Sequence, residues 1–345
     1  MSADLDLEQR YRRVLRLLPR YYRAQWEEDM VATFLDGWLT GDPDEDSVTM
    51  EYDRPTRDEV LSVVGLAARL YLGGVGAPGR YFAWGQAVRN AVLGVMLAHA
   101  VWGLGQLVIF ARSRNLIGWL PPPAGGFWVQ LEYATGYAWI VVFIALLLAD
   151  YRTARALAAL VVAADVVSLA HLQLNGLLTA PMAPFVNWSH LILFDLGPVL
   201  AMAAFHRDAP PPRRRPWLLA LAGWFLLLSV PAMVTEASGH GAWVPDDAGI
   251  CCLLVSLLCL AHAVRVWSGR AGSGAGVWSL SLVLFAAVAG LYRITSLALY
   301  AYDGHMLRVS VVELLILVAA AVLVAPDAVR SQSALPAPSV SRQPG

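Results

Sequence analysis

Residues Val277–Tyr300 read VWSLSLVLFAAVAGLYRITSLALY. The run is apolar and long enough to cross a bilayer, which takes about 20 helical residues. Arg293 lies well inside it. A charge at that depth is costly unless another group answers it. The fold therefore turns on two questions: how many such runs the chain has, and which of them carry acids.

Apolar runs recur from about residue 90 to residue 325. Of 345 residues, 58% are hydrophobic and 15% charged, against about 25% charged in soluble domains. Long continuous runs exclude a β-barrel, whose strands alternate over about ten residues. The expected fold is all-α: a polytopic membrane protein of about eight transmembrane helices behind a small N-terminal cytosolic helical domain. The spans expected are Asn90–Ala111, Tyr133–Ala149, Ala154–Asn175, Trp188–Phe205, Trp217–Val234, Gly249–Trp267, Val277–Tyr300 and Val309–Ala325. Residues 1–85 form the cytosolic module with its acidic linker, residues 86–325 the membrane domain, and residues 326–345 a Pro/Ser-rich tail expected to be disordered.

Every basic residue is arginine, and the net charge of −1 favours no class of partner. The distribution of charge says more. With the N terminus inside, eleven arginines flank the inner ends of the spans and three, Arg112, Arg114 and Arg308, the outer ends. The positive-inside rule then puts both termini in the cytoplasm of a multi-pass inner-membrane protein. The start, MSADLDLEQ, has no apolar core of the kind a cleavable signal peptide needs.

In the N-terminal segment Leu7, Tyr11, Val14, Leu15 and Leu18 keep to one helical stripe, and Pro19 ends it. Tyr22, Trp26, Met30, Phe34 and Trp38 then repeat every fourth residue with Val31 and Leu35 beside them, and Glu27–Asp29 are expected on the other side of that helix. Thr56 and Glu59 have the spacing of a capping box opening a third helix. Arg10, Arg12, Arg13 and Arg16 give the first helix a basic face. That face suits solvent, anionic headgroups of the inner leaflet or an acidic partner. No base-reading helix is evident, so no direct contact with nucleic acid is expected.

The stretch LEQRYRRVLRLLPRYYRAQWEEDMVATFLD, Leu7–Asp36, resembles the helical HAAS domain, related to permease-prefix domains. The resemblance rests on Tyr11-Arg12-Arg13, the Leu18-Pro19 break, Tyr22-Arg23, and Glu27-Glu28 ahead of Met30 and Phe34-Leu35-Asp36. It implies a cytosolic signalling or adaptor module of bacterial, especially actinobacterial, membrane proteins, often associated with PadR-type regulators. It implies no catalytic residue and covers a tenth to a fifth of the chain.

Three acids fall inside expected spans: Asp165, Asp195 and Glu313. At about 1.5 Å per residue, Arg293, Asp195 and Glu313 share a level in the outer half of the membrane, with Asp165 just below. The hairpin through YDGHMLR, 302–308, makes Glu313 the expected partner of Arg293, and the hairpin of the third and fourth spans brings Asp165 toward Asp195. Asp165, Ser168, His171 and Asn175 lie within about 120° of one face. Ala286, Ala289, Gly290 and Ser296 flank Arg293 and allow a close helix approach. Two readings stay open: an ion pair that fixes helix packing, or a cavity of Arg293, Glu313, Asp195, Asp165 and His171 that binds a ligand or relays protons.

Cys251, Cys252 and Cys259 share one apolar run and suit packing. No spacing pairs the histidines as haem or metal ligands, and the chain has no GxSxG, Walker A or HExxH motif. No cofactor, metal or catalytic residue is expected. The functional expectation is membrane sensing and signalling through the cytosolic module, with a proton-coupled secondary transporter or permease as the alternative. Gly197-Pro198, just after Asp195, is one of two places where a helix could be discontinuous; Pro231 is the other.

Overall fold

The computed structural model describes residues 7–38, 53–74, 77–113, 127–177, 183–206, 209–238, 247–270, 272, 274–297 and 304–333. The acidic linker at 41–52, the connection at 114–126 and the tail at 334–345 lie outside them. The described residues contain helices and no strand. The chain divides into two compact units, one running to Gly85 and the other from Gln86 to Leu335.

The first unit contains α1 (Leu7–Leu15), α2 (Arg20–Trp38) and α3 (Arg57–Tyr71). Leu7, Tyr11, Leu15 and Leu18 meet Val31 and Phe34 of α2 and Val63, Ala67 and Leu70 of α3 in one core. Tyr11 stacks flat on Phe34, with ring centroids 3.9 Å apart. Thr56 caps α3: its hydroxyl accepts the Glu59 amide, and the Glu59 carboxylate accepts the Thr56 amide at 2.6 Å. The period-four reading of α2 needs two corrections. Trp26 stays 42% exposed, because Val31 and Phe34 supply the buried stripe. Glu27 and Glu28 do not point away from α1. Glu28 binds both terminal nitrogens of Arg12 at 2.8 Å, and Glu27 approaches the same guanidinium at 3.8 Å.

The second unit holds α4 (Gly79–Ser113), α5 (Phe127–Leu147), α6 (Tyr151–Leu174), α7 (Ala183–Ala204), α8 (Arg214–Ser238), α9 (Asp247–Trp267), α10 (Ala275–Leu297) and α11 (Gly304–Ser333). The first residues of α4 belong to the preceding unit. Among the described residues, six helices are long and apolar enough to cross a membrane: Gly79–Leu107, Tyr151–Leu174, Ala183–Ala204, Ala248–Trp267, Ala275–Leu297 and Gly304–Arg330. The second expected span is a shorter apolar helix over its described part, Tyr133–Leu147. The fifth lies in α8, whose side chains are described only to Leu227. α11 continues through Pro326 to Ser333, so the first part of the expected tail is helical. Asp327 explains part of that extension, because Ser279 of α10 donates to its carboxylate at 2.6 Å.

One core runs through α4 to α7 and includes Met96, Phe143, Leu146, Ala158, Met202 and Phe205. Two smaller clusters join α9, α10 and α11, one through Cys259, Leu282 and Val324 and one through Cys252, Ala286 and Leu317. Cys252 and Cys259 pack here among apolar groups. The outward residues are apolar as well: Val312, Leu315, Val318 and Val322 of α11 are each more than half exposed. Such a surface is unfavourable in water and suits lipid.

The α5–α6 turn carries a local strain. Ala149 has φ 63°. The Asp150 amide bonds Ala145 O at 3.0 Å and the Ala149 amide bonds Leu146 O at 3.1 Å, which is the Schellman pattern usually completed by glycine. Asp150 then caps α6 by accepting the Thr153 amide, a bond that holds its carboxyl below the ordinary range. Ala149→Gly removes the left-handed strain at no packing cost and should stabilise the protein by about 1 kcal/mol, read as a rise in unfolding midpoint in detergent.

Candidate functional site: charged pairs around an interrupted helix

α7 is the irregular element of the membrane unit. It is α-helical over Ala183–His190, a π turn over Leu191–Leu196, α-helical again over Gly197–Ala201 and 3₁₀ over Met202–Ala204. Pro198 supplies the cause. A proline has no amide hydrogen and its ring crowds the carbonyl four residues back, which here is Phe194. The helix widens before the proline, and the Gly197 amide bonds Ile192 O five residues away.

The Phe194 carbonyl is answered from another helix. His99 of α4 places Nε2 3.0 Å from Phe194 O. A carbonyl cannot donate, so Nε2 carries the proton in this contact. The same nitrogen lies 3.3 Å from Asp195 Oδ1. Asp195 is 6% exposed, and the His99 ring stacks on Trp139 of α5 at 4.7 Å. His190, Phe194 and Tyr292 of α10 meet ring to ring around the π turn, with centroids 4.7 to 5.2 Å apart.

Tyr292 links this cluster to Arg293, the next residue of α10. Arg293 is fully buried and pairs with Glu313 of α11, Nη2 to Oε2, at 2.5 Å. This is the partner that the hairpin between the two helices predicts. Ala286, Ala289 and Ser296 are buried beside Arg293, as small residues at a close crossing should be, and a Cβ on Gly290 would meet Leu317 at an ordinary 3.6 Å.

The far end of α7 is held by two arginines. Arg155 donates to Met202 O at 3.0 Å and Phe205 O at 2.7 Å, and Arg89 donates to Ala204 O at 3.2 Å. Arg89 is 2% exposed. The last carbonyls of a helix lack intrahelical donors, and cations there oppose its dipole. Charge counting by sequence treats both arginines as flanks, but here they anchor the interrupted helix.

A third polar chain lies toward the opposite end of α10 from Arg293. Ser279 is fully buried, donates to Asp327 of α11 and sits 2.8 Å from His262 Nε2 of α9. Asn90 of α4 donates to Ser281 at 3.0 Å. α10 thus bears protonatable partners near both ends.

The remaining candidates are placed as follows. Asp165 is half-buried on α6. His171 stacks on Trp128 at 3.9 Å and shares a 3.0 Å contact with Asn175. Arg10 donates to Asp53 O, while Arg13 and Arg16 are exposed. Arg12 is engaged by Glu8 at 2.7 Å and by Glu28, bonds that raise its pKa and lower that of Glu28. Among the described residues, no group of three or more His, Cys, Asp or Glu could hold a metal ion.

Sequence reasoning missed His99 as the partner of Asp195. The available signal was Pro198, which strips the Phe194 carbonyl of its helical donor inside a membrane span, where an unsatisfied group is costly. No known family profile matches the chain, and neither curated proteins nor solved structures give a match.

Proposed function

We propose that this chain is a proton-coupled secondary transporter or permease of the cytoplasmic membrane, built on eight spans with both termini inside. The observation that carries the reading is the His99–Asp195 pair seated at the break in α7. π turns inside α-helices often mark functional sites, and here the turn presents the Phe194 carbonyl to His99. With His99 neutral and Asp195 ionised the pair carries −1. One proton, on the carboxylate or on the ring, brings it to zero. A neutral pair is far less costly to move through a low-dielectric interior than a charged one. Protonation can therefore bias which arrangement of α7 is favoured.

The second reading is a sensor that passes the same protonation change to the cytosolic unit, and through it to a PadR-type regulator. It draws support from the separate core of α1–α3 and from the HAAS resemblance.

Both are tested in proteoliposomes carrying an internal pH dye under an imposed pH gradient. A transporter moves protons in the wild type, and Asp195→Asn slows this at least tenfold, as loss of the coupling carboxylate requires. A chain lacking residues 1–80 keeps its flux under the first reading. Proton movement no faster than in empty liposomes would remove the transport reading and leave the sensor.

A further inference from the structure

α3 is apolar on two sides. Val63, Ala67 and Leu70 enter the core of the first unit. At about 100° per residue, Leu61, Val64, Gly65 and Ala68 fall on the opposite side. Leu61 is 65% exposed and Val64 44%. A helix on the surface of a small domain normally turns polar residues outward. Gly65, mid-helix and exposed, weakens the helix, and the monomer does not require it: a Cβ there would meet nothing within 4 Å. Glycine at such a point suits a second backbone coming close.

Charges along one edge of this face specify the second backbone. Asp58, in the first turn, and Arg69, in the last, are both exposed. They lie within about 20° of each other around the helix and on either side of Val64 along it. In an antiparallel two-fold pair, the same edge of each copy meets itself with its direction reversed. Asp58 of one copy then stands within one residue of Arg69 of the other, and the reciprocal pair forms at the other end. A parallel two-fold pair sets this edge against the opposite edge of the other copy and leaves both charges without these partners.

We propose that α3 is a homodimerisation helix, packing antiparallel against α3 of a second copy of this chain across Leu61, Val64, Gly65 and Ala68. The patch is small, and tethering both copies to one bilayer raises their effective concentration enough for a modest interface to hold.

The full chain in lipid membranes, carrying Val64→Cys, tests this by mild oxidation and non-reducing electrophoresis, with the chain bearing only its native cysteines as control. A crosslinked dimer should form through residue 64. Asp58→Arg alone and Arg69→Asp alone each turn two attractions into repulsions and should lower the yield about tenfold. The double variant Asp58→Arg/Arg69→Asp restores both pairs with their signs exchanged and should return most of the yield. Gly65→Leu should abolish it. Absence of a residue-64 crosslink would overturn the proposal. So would crosslinking insensitive to the single charge reversals, or a double variant no better than either single. If lipid shields the thiol of the Val64→Cys chain from a water-soluble reagent and no dimer forms, the face belongs to the bilayer and the proposal is overturned equally.

Discussion

Arg293→Leu is expected to destabilise the protein by about 3–5 kcal/mol, because it leaves Glu313 buried without its guanidinium. Arg293 is fully buried and Glu313 is 6% exposed, so water cannot take the place of the lost partner. The double variant Arg293→Leu/Glu313→Leu removes both charges and fills the space with hydrocarbon. It should recover most of the loss, since replacing a buried pair by apolar side chains is often neutral or stabilising. Unfolding in mixed micelles measures both. A double variant as unstable as the single would show that the two charges are not energetically coupled. If the double variant is as stable as the wild type and as active, the pair serves packing. If it is stable and inactive, the pair serves function.

Gly103→Ala is expected to cost about 1–3 kcal/mol or more, the usual penalty for overpacking. Its Cβ would stand 2.2 Å from the Gly136 carbonyl oxygen of α5 and 3.0 Å from Ile140 Cγ1. The first obstacle is backbone, so α4 and α5 would have to separate, and Trp139, which stacks on His99, lies on that same stretch of α5. Gly105→Ala, two residues along α4, meets nothing within 4 Å and is the matched control. It should stabilise the helix by up to about 1 kcal/mol. Equal effects of the two substitutions in an unfolding experiment would contradict the close crossing of α4 and α5.

The helical class and the recurrence of membrane-length helices were legible because both depend on local properties, run length and the lack of charge. Arg293–Glu313 was legible because a short hairpin places sequence neighbours side by side in space. His99–Asp195 was not, because α4 and α7 are separated by two helices and no spacing rule joins them. Only the consequence of Pro198 for the Phe194 carbonyl pointed there, and it named a missing donor without naming histidine. The bonds of Arg89 and Arg155 to the end of α7 were not legible for a related reason. A count of charges near span ends cannot distinguish an arginine facing headgroups from one bonded to the carbonyls of another helix. In α2 the period of four brings Tyr22, Met30, Phe34 and Trp38 to the core, while Trp26 stays outside it.

Proton-coupled function requires that Asp195, held against His99 at the break in α7, take up and release a proton within the membrane domain. Infrared difference spectra of the full chain in lipid, recorded between alkaline and acid pH, test this most directly. A protonated-carboxyl band is expected on acidification. It should be lost in Asp195→Asn and displaced in His99→Gln, where the neighbouring hydrogen bond changes. Identical carboxyl bands in wild type and Asp195→Asn at every pH would contradict proton uptake at Asp195.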